Sequence, residues 1–339
     1  MKKILLIGSN FGSKVYLKIL LKYYRNYQIY ICSPNIHKKK INKKIIRCKS
    51  YEKAFSKNNF QFVICATTPI VQYQIIKFLK KKKIKLNGIL LEKPISSELT
   101  ETQRILKILF ELKIPFLVNF VFTQLKSYKK LKVELNKKSI SEVNYIWSFR
   151  QAFFKNKVPT WKANDKLGGG ILKYYGIHVF YHLVDLFNLN EFTKFTIEEI
   201  KFNKKKNTFI KLKIFKNKII INLYIDINSN NNLHKISLSS KKNNFLLINK
   251  SQDWTKNFKF FINYKLFNLK KESRVDLTKK TIDNLLLSKE IFENKKNKKY
   301  IYKVLIAHKL CEKIYKKTKD LIIRKKLNNN SSNDRETAK

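Results

Sequence analysis

The sequence predicts an α/β protein in which an N-terminal Rossmann dinucleotide-binding domain precedes an α+β domain with an open, mainly antiparallel sheet. Three observations lead to this prediction. Short apolar segments alternate with helical patterns up to about residue 121, as in a parallel sheet with crossover helices. Beyond residue 122, residues 208–215 and 219–227 alternate between apolar and polar side chains, which is typical of antiparallel strands with one solvated face. The 339 residues also exceed the roughly 250–300 at which a single core stops growing.

The first domain is expected to span residues 1–121 and to repeat a strand–helix order. Strands are predicted at residues 2–8, 28–32, 61–66, 87–91 and 115–120, and helices at about 14–24, 71–81 and 98–112. Strands that are joined by crossover helices run parallel, with right-handed connections. Their carboxyl ends therefore meet at one edge of the sheet. That edge is where open α/β sheets bind their ligands.

The second domain is expected to span residues 122–326 and to carry the contacts with substrate and with other copies of the chain. Strands are predicted at residues 143–150, 208–215 and 219–227, and helices after the glycines at 168–170, near 277–294 and near 300–315. Residues 327–339 are polar, and we expect them to form a disordered tail.

The charge of the chain first suggests a polyanionic partner. The formal net charge is +51, yet only seven of the 74 basic residues are arginine, the preferred reader of phosphate and guanine. The lysines are also spread along the chain, so a specific nucleic-acid partner is not expected. A solvated lysine surface and the attraction of an anionic substrate or polyanion both stay open.

The sequence has the character of a cytoplasmic protein. No apolar run approaches the roughly 18 residues that a membrane helix needs. The apolar run that follows the first lysines ends at Gly8. We therefore expect it to be too short for the apolar region of a signal peptide. Four cysteines lack CxxC spacing, so reduced thiols fit best. We therefore expect no membrane partner.

A glycine-containing turn follows the first strand, where a dinucleotide fold places its phosphate-binding fingerprint. Against the pattern G-x-G-x-x-G, Gly8 matches the first position, while Asn10 and Ser13 occupy the other two. We expect Gly8, Asn10, Phe11 and Gly12 to bound a pyrophosphate. An ordinary strand–helix turn is the alternative.

The end of the second strand bears on the choice of cofactor. An NAD site usually has Asp or Glu there for the ribose 2′-hydroxyl. Here the strand is followed by Ser33 and, a few residues later, by Lys38. A small hydroxyl and a nearby cation suit a 2′-phosphate, so NADP(H) is favoured over NAD(H). Alternatively, Lys38 belongs to the general lysine excess.

The segment Glu92-Lys93-Pro94 follows the predicted strand at 87–91. The strand delivers Lys93 to the carboxyl edge of the sheet, where a ligand would lie. Glu92 can pair with the ammonium or orient it, and Pro94 stiffens the exit. A loop with an ordinary Glu-Lys pair is the alternative.

A glycine run precedes a candidate histidine. Four of the seven glycines lie at 168–176, which indicates a requirement of the backbone. Helical spacing places Tyr174 and His178 one turn apart, so both can face one cavity. His182 lies one turn further, but no third ligand supports a metal site.

In their order and spacing these segments resemble the glucose–fructose oxidoreductase/inositol dehydrogenase (Gfo/Idh/MocA) family. The matching pieces are the turn at Gly8, residues 66–69, Glu92-Lys93-Pro94 and residues 161–178. The resemblance implies an active site between the two domains and NAD(P)-dependent chemistry at a carbinol carbon of a sugar, sugar phosphate, nucleotide sugar or cyclitol.

The resemblance also implies roles for single residues. Lys93 would touch substrate and nicotinamide, with Glu92 beside the cofactor. His178 would be the general base or acid. The matching turn at residues 66–69 would bound the nicotinamide ribose with Thr67, Thr68 and Pro69. Ser33 and Lys38 would face the adenosine ribose. The family also suggests homo-oligomers formed through the open sheet face.

One position departs from the family pattern. An aspartate normally lies four residues before the histidine, where this chain has Tyr174. A neutral phenol cannot raise the basicity of an imidazole by charge, but it can assist as a catalytic residue if Lys93 lowers its pKa. Two functions therefore stay open: an active oxidoreductase acting on a sugar-like, anionic substrate, or a degenerate member that is a binding or scaffold protein.

Overall fold

A six-stranded parallel sheet organises the first domain in this computed structural model. The structure describes residues 1–8, 12–33, 45–135, 139–152, 154, 160–203, 206–253, 256–287 and 295–336. Asn10, Phe11 and Lys38 lie outside these residues. The strands are β1 (Lys2–Ile7), β2 (Tyr27–Cys32), β3 (Ile45–Cys48), β4 (Phe62–Cys65), β5 (Gly88–Leu91) and β6 (Phe116–Val118), in the order β3-β2-β1-β4-β5-β6. This is the doubly wound order of dinucleotide-binding folds, so the predicted Rossmann domain is confirmed.

Helices cover both faces of this sheet. They are α1 (Leu17–Tyr23), which continues a π-helical turn at Gly12–Tyr16, then α2 (Tyr51–Lys57), α3 (Pro69–Lys81) and α4 (Leu99–Glu111). The strands are buried on both sides, with Leu5 and Val63 in one core and Leu6 and Ile64 in the other. This two-sided burial explains why the strands are continuous apolar runs in the sequence.

The second domain is built on an eight-stranded sheet. After α5 (Lys126–Leu135) come β7 (Glu142–Arg150), α6 (Ile177–Phe187), β8 (Lys194–Asn203), β9 (Lys206–Lys216), β10 (Ile219–Asp226), β11 (Asn228–Ser239), β12 (Asn244–Asn249), β13 (Lys259–Ile262) and β14 (Lys265–Phe267). The order is β14-β13-β12-β11-β7-β10-β9-β8, and every pair is antiparallel except β7 with β10. The predicted open, mainly antiparallel sheet is confirmed.

Two helices follow the second sheet, α7 (Arg274–Leu286) and α8 (Lys295–Glu336). Helix α7 returns to the first domain, where Ile282 and Leu285 join the core that contains Leu6. Helix α8 packs against α6 and the turn before it.

Helix α8 extends into residues 327–339, the segment that the sequence predicts to be a disordered tail. The structure continues α8 to Glu336. Adding residues to an existing helix requires no new nucleus, so a polar segment can propagate a helix that packing has already formed. In the part of the chain that the structure describes, no helix combines the length and apolar character needed to cross a membrane.

Candidate active site

The carboxyl ends of the parallel strands bring the candidate cofactor residues to one edge. Gly8 follows β1, Ser33 follows β2, Thr67 follows β4, Glu92 and Lys93 follow β5, and Asn119 follows β6. Since these strands are adjacent and parallel, residues spread over more than 100 positions share one edge of the sheet.

Gly8 occupies a backbone position that excludes a side chain. Its φ is +116°, and an added Cβ would lie 2.2 Å from the carbonyl oxygen of Ala66. Its N–H donates to the carbonyl oxygen of Cys32 at 2.8 Å. The turn therefore passes closely between β2 and β4, directly before the helical turn that begins at Gly12.

The turn after β4 packs against the second domain. Pro69 is the first residue of α3, a position that its fixed φ suits. Thr67 and Thr68, which precede it, are partly exposed. Gly168 has a φ of +82°, and a Cβ there would lie 3.0 Å from the Pro69 ring. The glycine run of the second domain thus packs directly against the first.

Gln72 holds the backbone that carries Lys93. Its side chain is fully buried on α3. The amide Nε2 donates to the carbonyl oxygens of Glu92 and Pro94, both at 3.0 Å, and of Ile95 at 3.3 Å. Its Oε1 accepts from the Glu92 N–H at 2.8 Å. Sequence alone does not point to this residue, because a glutamine on a helix carries no signal of its own.

Lys93 reaches from β5 to the helical turn that precedes His178. Its side chain is 9% exposed. The ammonium Nζ donates to the carbonyl oxygen of Tyr174 at 2.9 Å and lies 3.4 Å from the centre of the Tyr174 ring. Burial holds the pKa of Lys93 well below its ordinary value, although the Glu92 carboxylate acts in the opposite direction.

The sequence leaves open whether Lys93 lowers the pKa of Tyr174. Burial raises the pKa of this phenol, and Glu92 raises it further. The ring meets Lys93 through its face, where the quadrupole attracts a cation without ionising the hydroxyl. A phenolate at Tyr174 is therefore disfavoured, and the ring and the carbonyl oxygen are the parts that contact Lys93.

His178 belongs to the same cluster. It lies in the first turn of α6, its side chain is 5% exposed, and its Nδ1 has no hydrogen-bond partner among the described residues. Burial holds the pKa of His178 well below 6.5, and the charge of Lys93 lowers it further. Lys93 is therefore close enough to act on the imidazole electrostatically, and His178 is neutral at neutral pH.

Two further histidines are structural. The Tyr145 hydroxyl lies 2.8 Å from His182 Nδ1 and 2.9 Å from His234 Nε2. Phe122 contacts both imidazoles and His178 edge-on. In the residues that the structure covers, no cluster of His, Cys, Asp or Glu has the arrangement of a metal site.

Glu92 is held by two buried donors. Its Oε1 accepts from the Tyr16 hydroxyl and from Asn119 Nδ2, the latter at 3.0 Å, and Asn119 Nδ2 also lies 2.7 Å from the Tyr16 oxygen. The first domain thus fixes this carboxylate beside Lys93. Tyr16 and Asn119 were not predicted from the sequence, because they reach Glu92 only through the parallel order of the strands.

The described residues fit a dinucleotide at this edge. Gly8 leaves the turn after β1 without a side chain, and Ser33 places a small residue at the end of β2. At the end of β6, Asn119 Oδ1 is buried and has no partner among the described residues. A ligand that donates a hydrogen bond there would satisfy it.

Solved structures share this fold over almost the whole chain. The dehydrogenase MviM from Clostridium difficile has a TM-score of 0.72 at 18% identity, over 93% of this chain and 99% of that one. Biliverdin reductase from Synechocystis sp. PCC 6803, solved with biliverdin and NADP+, has a TM-score of 0.71 at 12% identity, over 92% and 98%. A Gfo/Idh/MocA family oxidoreductase from Vibrio cholerae has a TM-score of 0.70 at 12% identity, over 94% and 100%. No protein-family model and no curated protein matches the sequence.

The fold defines a class of two-domain proteins in which a Rossmann domain precedes a domain with an open sheet. Within that class, the chain has the fold of the Gfo/Idh/MocA oxidoreductases. The resemblance drawn from short motifs is thereby confirmed at the level of the fold.

Proposed function

We propose that this chain is an NAD(P)-dependent oxidoreductase that acts on a carbinol carbon of a sugar, sugar phosphate, nucleotide sugar or cyclitol. The observation that carries the proposal is the contact of Lys93 with Tyr174, in the helical turn that leads into His178. Lys93 and His178 lie 85 positions apart in the sequence, and the ammonium of Lys93 both contacts the turn before His178 and lowers the pKa of its imidazole.

The two residues have complementary roles. Lys93 has three N–H donors, one of which is used by the Tyr174 carbonyl oxygen. The others would orient and polarise the reacting oxygen of a substrate that displaces or shares the Tyr174 ring over the ammonium. His178 is neutral, which is the form that accepts the proton of a hydroxyl. Gln72 and Glu92 fix the backbone and the surroundings of Lys93.

A bound nicotinamide would supply the acceptor or donor of the hydride. Gly8 and the turn at Gly12 would leave room for the pyrophosphate, while Thr67, Thr68 and Pro69 would bound the nicotinamide ribose. The Asn119 Oδ1 would accept from the carboxamide at the end of β6. Ser33 would face the adenosine ribose and favour NADP(H) over NAD(H). Solved structures with this fold include one with bound NADP+ and one described as NADPH-dependent, which supports a nicotinamide cofactor.

A titration of NADPH fluorescence, followed by assays on sugars, sugar phosphates, nucleotide sugars and cyclitols, tests the proposal. We expect the wild type to bind NADPH and to turn over one of these classes. Lys93→Ala should keep cofactor affinity but lose turnover by about 100-fold or more. Lys85→Ala alters an exposed lysine in the segment between α3 and β5; it should change neither property and serves as the control.

Two results would contradict the proposal. If neither NADPH nor NADH binds at low salt, the proposed redox function is wrong. Full turnover by Lys93→Ala would remove Lys93 from the mechanism.

One observation favours a second candidate, a degenerate binding or scaffold protein. The Tyr174 ring covers the Lys93 ammonium, and Lys93 is 9% exposed. A substrate must therefore displace or share this ring. A scaffold protein that lost the cofactor site together with the reaction would bind no dinucleotide, so the same titration separates such a protein from the oxidoreductase.

We also propose a homo-oligomer that forms through the outer face of the eight-stranded sheet. Four residues lie side by side across neighbouring strands of that face. Tyr224 on β10 pairs with Ile146 on β7, Ile146 pairs with Lys235 on β11, and Lys235 pairs with Ile248 on β12. All four side chains are partly exposed. Light scattering should detect an oligomer in the wild type and a monomer in Ile146→Asp. A monomeric wild type would contradict this assembly.

A further inference from the structure

Two lysines approach the same aromatic ring. The Nζ of Lys93 lies 3.4 Å from the centre of the Tyr174 ring, and the Nζ of Lys162 lies 5.2 Å from it. Lys162 belongs to the short helical turn Trp161–Ala163 and is partly buried. Two ammonium groups at one ring repel each other, so the arrangement is unfavourable unless something compensates their charges.

A third cation adds to this repulsion. Arg274 is the first residue of α7 and is partly buried. Burial is the main cause of the lowered pKa of Lys162, and the charge of Arg274 lowers it further. The same charge contributes to the lowered pKa values of Lys93 and His178. Helix α7 contacts the turn at Val121–Gln124, whose Phe122 touches His178, so α7 packs beside this cluster.

The cluster lacks a matching number of anions. Among the residues described, neither the Lys162 ammonium nor the Arg274 guanidinium forms an ion pair. The carboxylate that acts on Lys93 and Lys162 is Glu92, whose Oε1 is already engaged by Tyr16 and Asn119. Two lysine ammonium groups at one ring, with Arg274 on the helix packed beside them, thus have one nearby carboxylate in a partly desolvated place, where unpaired charge is costly.

We propose that Lys162 and Arg274 form an anion-binding subsite for an oxyanion, a phosphate or carboxylate, carried by the substrate. The proposal rests on the proposed oxidoreductase function and names the class of its substrate. The planar guanidinium of Arg274 can donate two parallel hydrogen bonds to two oxygens of the anion, and the ammonium of Lys162 adds a compact positive charge. The subsite lies at the Lys93–His178 pair rather than at the Gly8 turn, where a cofactor pyrophosphate would lie.

The anion would also change the reacting groups. A negative charge beside Lys93 and His178 favours their protonated forms and opposes the effect of burial on both pKa values. Substrate binding would therefore stabilise the Lys93 ammonium and make the neutral His178 imidazole a stronger base. An uncharged analogue of the same substrate would not have this effect.

Inorganic phosphate is the probe that tests the subsite. It is titrated into the protein at constant ionic strength, with chloride as the reference anion, and binding is followed by tryptophan fluorescence. Trp161 precedes Lys162 and its ring centre lies 5.2 Å from that of Tyr174, so it reports on this place. Trp161→Phe shows whether the signal arises there.

We expect a saturable phosphate signal that is lost in Trp161→Phe. Lys162→Gln and Arg274→Gln should each weaken phosphate binding by about tenfold, because each removes a charge-assisted contact. Lys166→Gln, which alters an exposed lysine four residues from Lys162, should behave as the wild type. Equal titrations in all of these variants, or no saturable signal, would overturn the subsite.

A parallel NADPH titration separates this proposal from the proposed function. If NADPH binds equally to the wild type and to both Gln variants while phosphate binding weakens, the anion belongs to the substrate. If the variants lose NADPH affinity as well, the subsite serves the cofactor and the substrate assignment is overturned. If phosphate binds as expected but NADPH does not bind at all, the oxidoreductase function fails and the substrate assignment that rests on it fails too, leaving an anion site of another function.

Discussion

The ammonium of Lys93 lies over the ring of Tyr174 and donates to the carbonyl oxygen of the same residue. One residue thus contacts the candidate catalytic lysine through both its side chain and its backbone. The backbone contact does not depend on residue type, whereas the ring contact does. A desolvated cation–π contact is worth about 2 kcal/mol, which is enough to determine where the ammonium points.

Tyr174→Phe and Tyr174→Leu separate the ring from its hydroxyl. We expect Phe to keep most of the turnover because the face of the ring is retained. Leu should lose turnover by about tenfold or more, since the loss of a contact of about 2 kcal/mol leaves the ammonium free to move. Steady-state kinetics on both variants, with NADPH affinity as the control, is the measurement. A Phe variant as inactive as Leu would show that the hydroxyl takes part, as expected from the sequence.

Gln72→Met tests the clamp on the segment that carries Lys93. Methionine has a similar volume but leaves the carbonyl oxygens of Glu92, Pro94 and Ile95 without their shared donor. Unsatisfied buried groups cost about 1–3 kcal/mol each, so we expect a loss of about 3 kcal/mol in the free energy of unfolding. Turnover should fall as well, because Lys93 loses its fixed backbone.

Urea unfolding of Gln72→Met is compared with that of Gln74→Met, which alters an exposed glutamine on the same helix. The control should change stability by less than about 0.5 kcal/mol. Equal stability of the two variants would mean that the four contacts of Gln72 contribute nothing that water cannot replace.

Buried histidines make the fold sensitive to acid. Burial lowers the pKa of His182 to about 3 and of His308 to about 4, and it holds the pKa values of His178 and His234 well below 6.5. A histidine in the unfolded chain binds a proton with a pKa near 6.5. Below that pH the unfolded chain therefore binds protons that the buried histidines of the folded state do not bind. Stability is therefore complete above about pH 6.5 and falls as the pH drops toward the folded values.

Each such histidine contributes a slope of up to about 1.4 kcal/mol per pH unit, so the four together reach about 5.6 kcal/mol per unit. His308→Gln should reduce the slope by about 1.4 kcal/mol per unit, since glutamine cannot be protonated in this range. Lys316→Gln, an exposed residue of the same helix, should leave it unchanged. Urea unfolding between pH 5 and 8 measures these slopes, and identical slopes for all three proteins would contradict this explanation.

Ser33→Asp tests the choice of cofactor. Ser33 is 5% exposed at the end of β2, and a carboxylate there would repel a 2′-phosphate. We expect the ratio of NADPH to NADH affinity to fall by about tenfold or more. Ser33→Ala removes the hydroxyl without adding charge and is the control. An unchanged ratio in Ser33→Asp would count against the NADP(H) preference.

Structural elements could be predicted from the sequence where burial leaves a pattern. The central strands are buried on both faces and therefore stand out as apolar runs, and β9 and β10 of the second sheet show an alternating pattern, whereas β8 and β11 to β14 were not predicted. Strand β3 was not predicted. It is an edge strand in which Ile45 is buried while Ile46 and Arg47 are exposed, and such a strand has little apolar signal.

The candidate site was predicted in part for a similar reason. Lys93 and His178 stand in short motifs, whereas Gln72 and Asn119 do not. These two reach the site only through strand order and helix packing, which bring together residues far apart in the sequence. The outcome of replacing the family aspartate by Tyr174 also depends on packing, because burial rather than Lys93 determines the pKa of the phenol.

The most direct test is a crystal structure of the complex with NADP+. We expect the nicotinamide C4 to face both the Lys93 ammonium and the His178 imidazole across one cleft, with the pyrophosphate at the Gly8 turn. A complex in which these two side chains point to different sides of the molecule, or in which the nicotinamide lies away from both, would contradict the proposed mechanism.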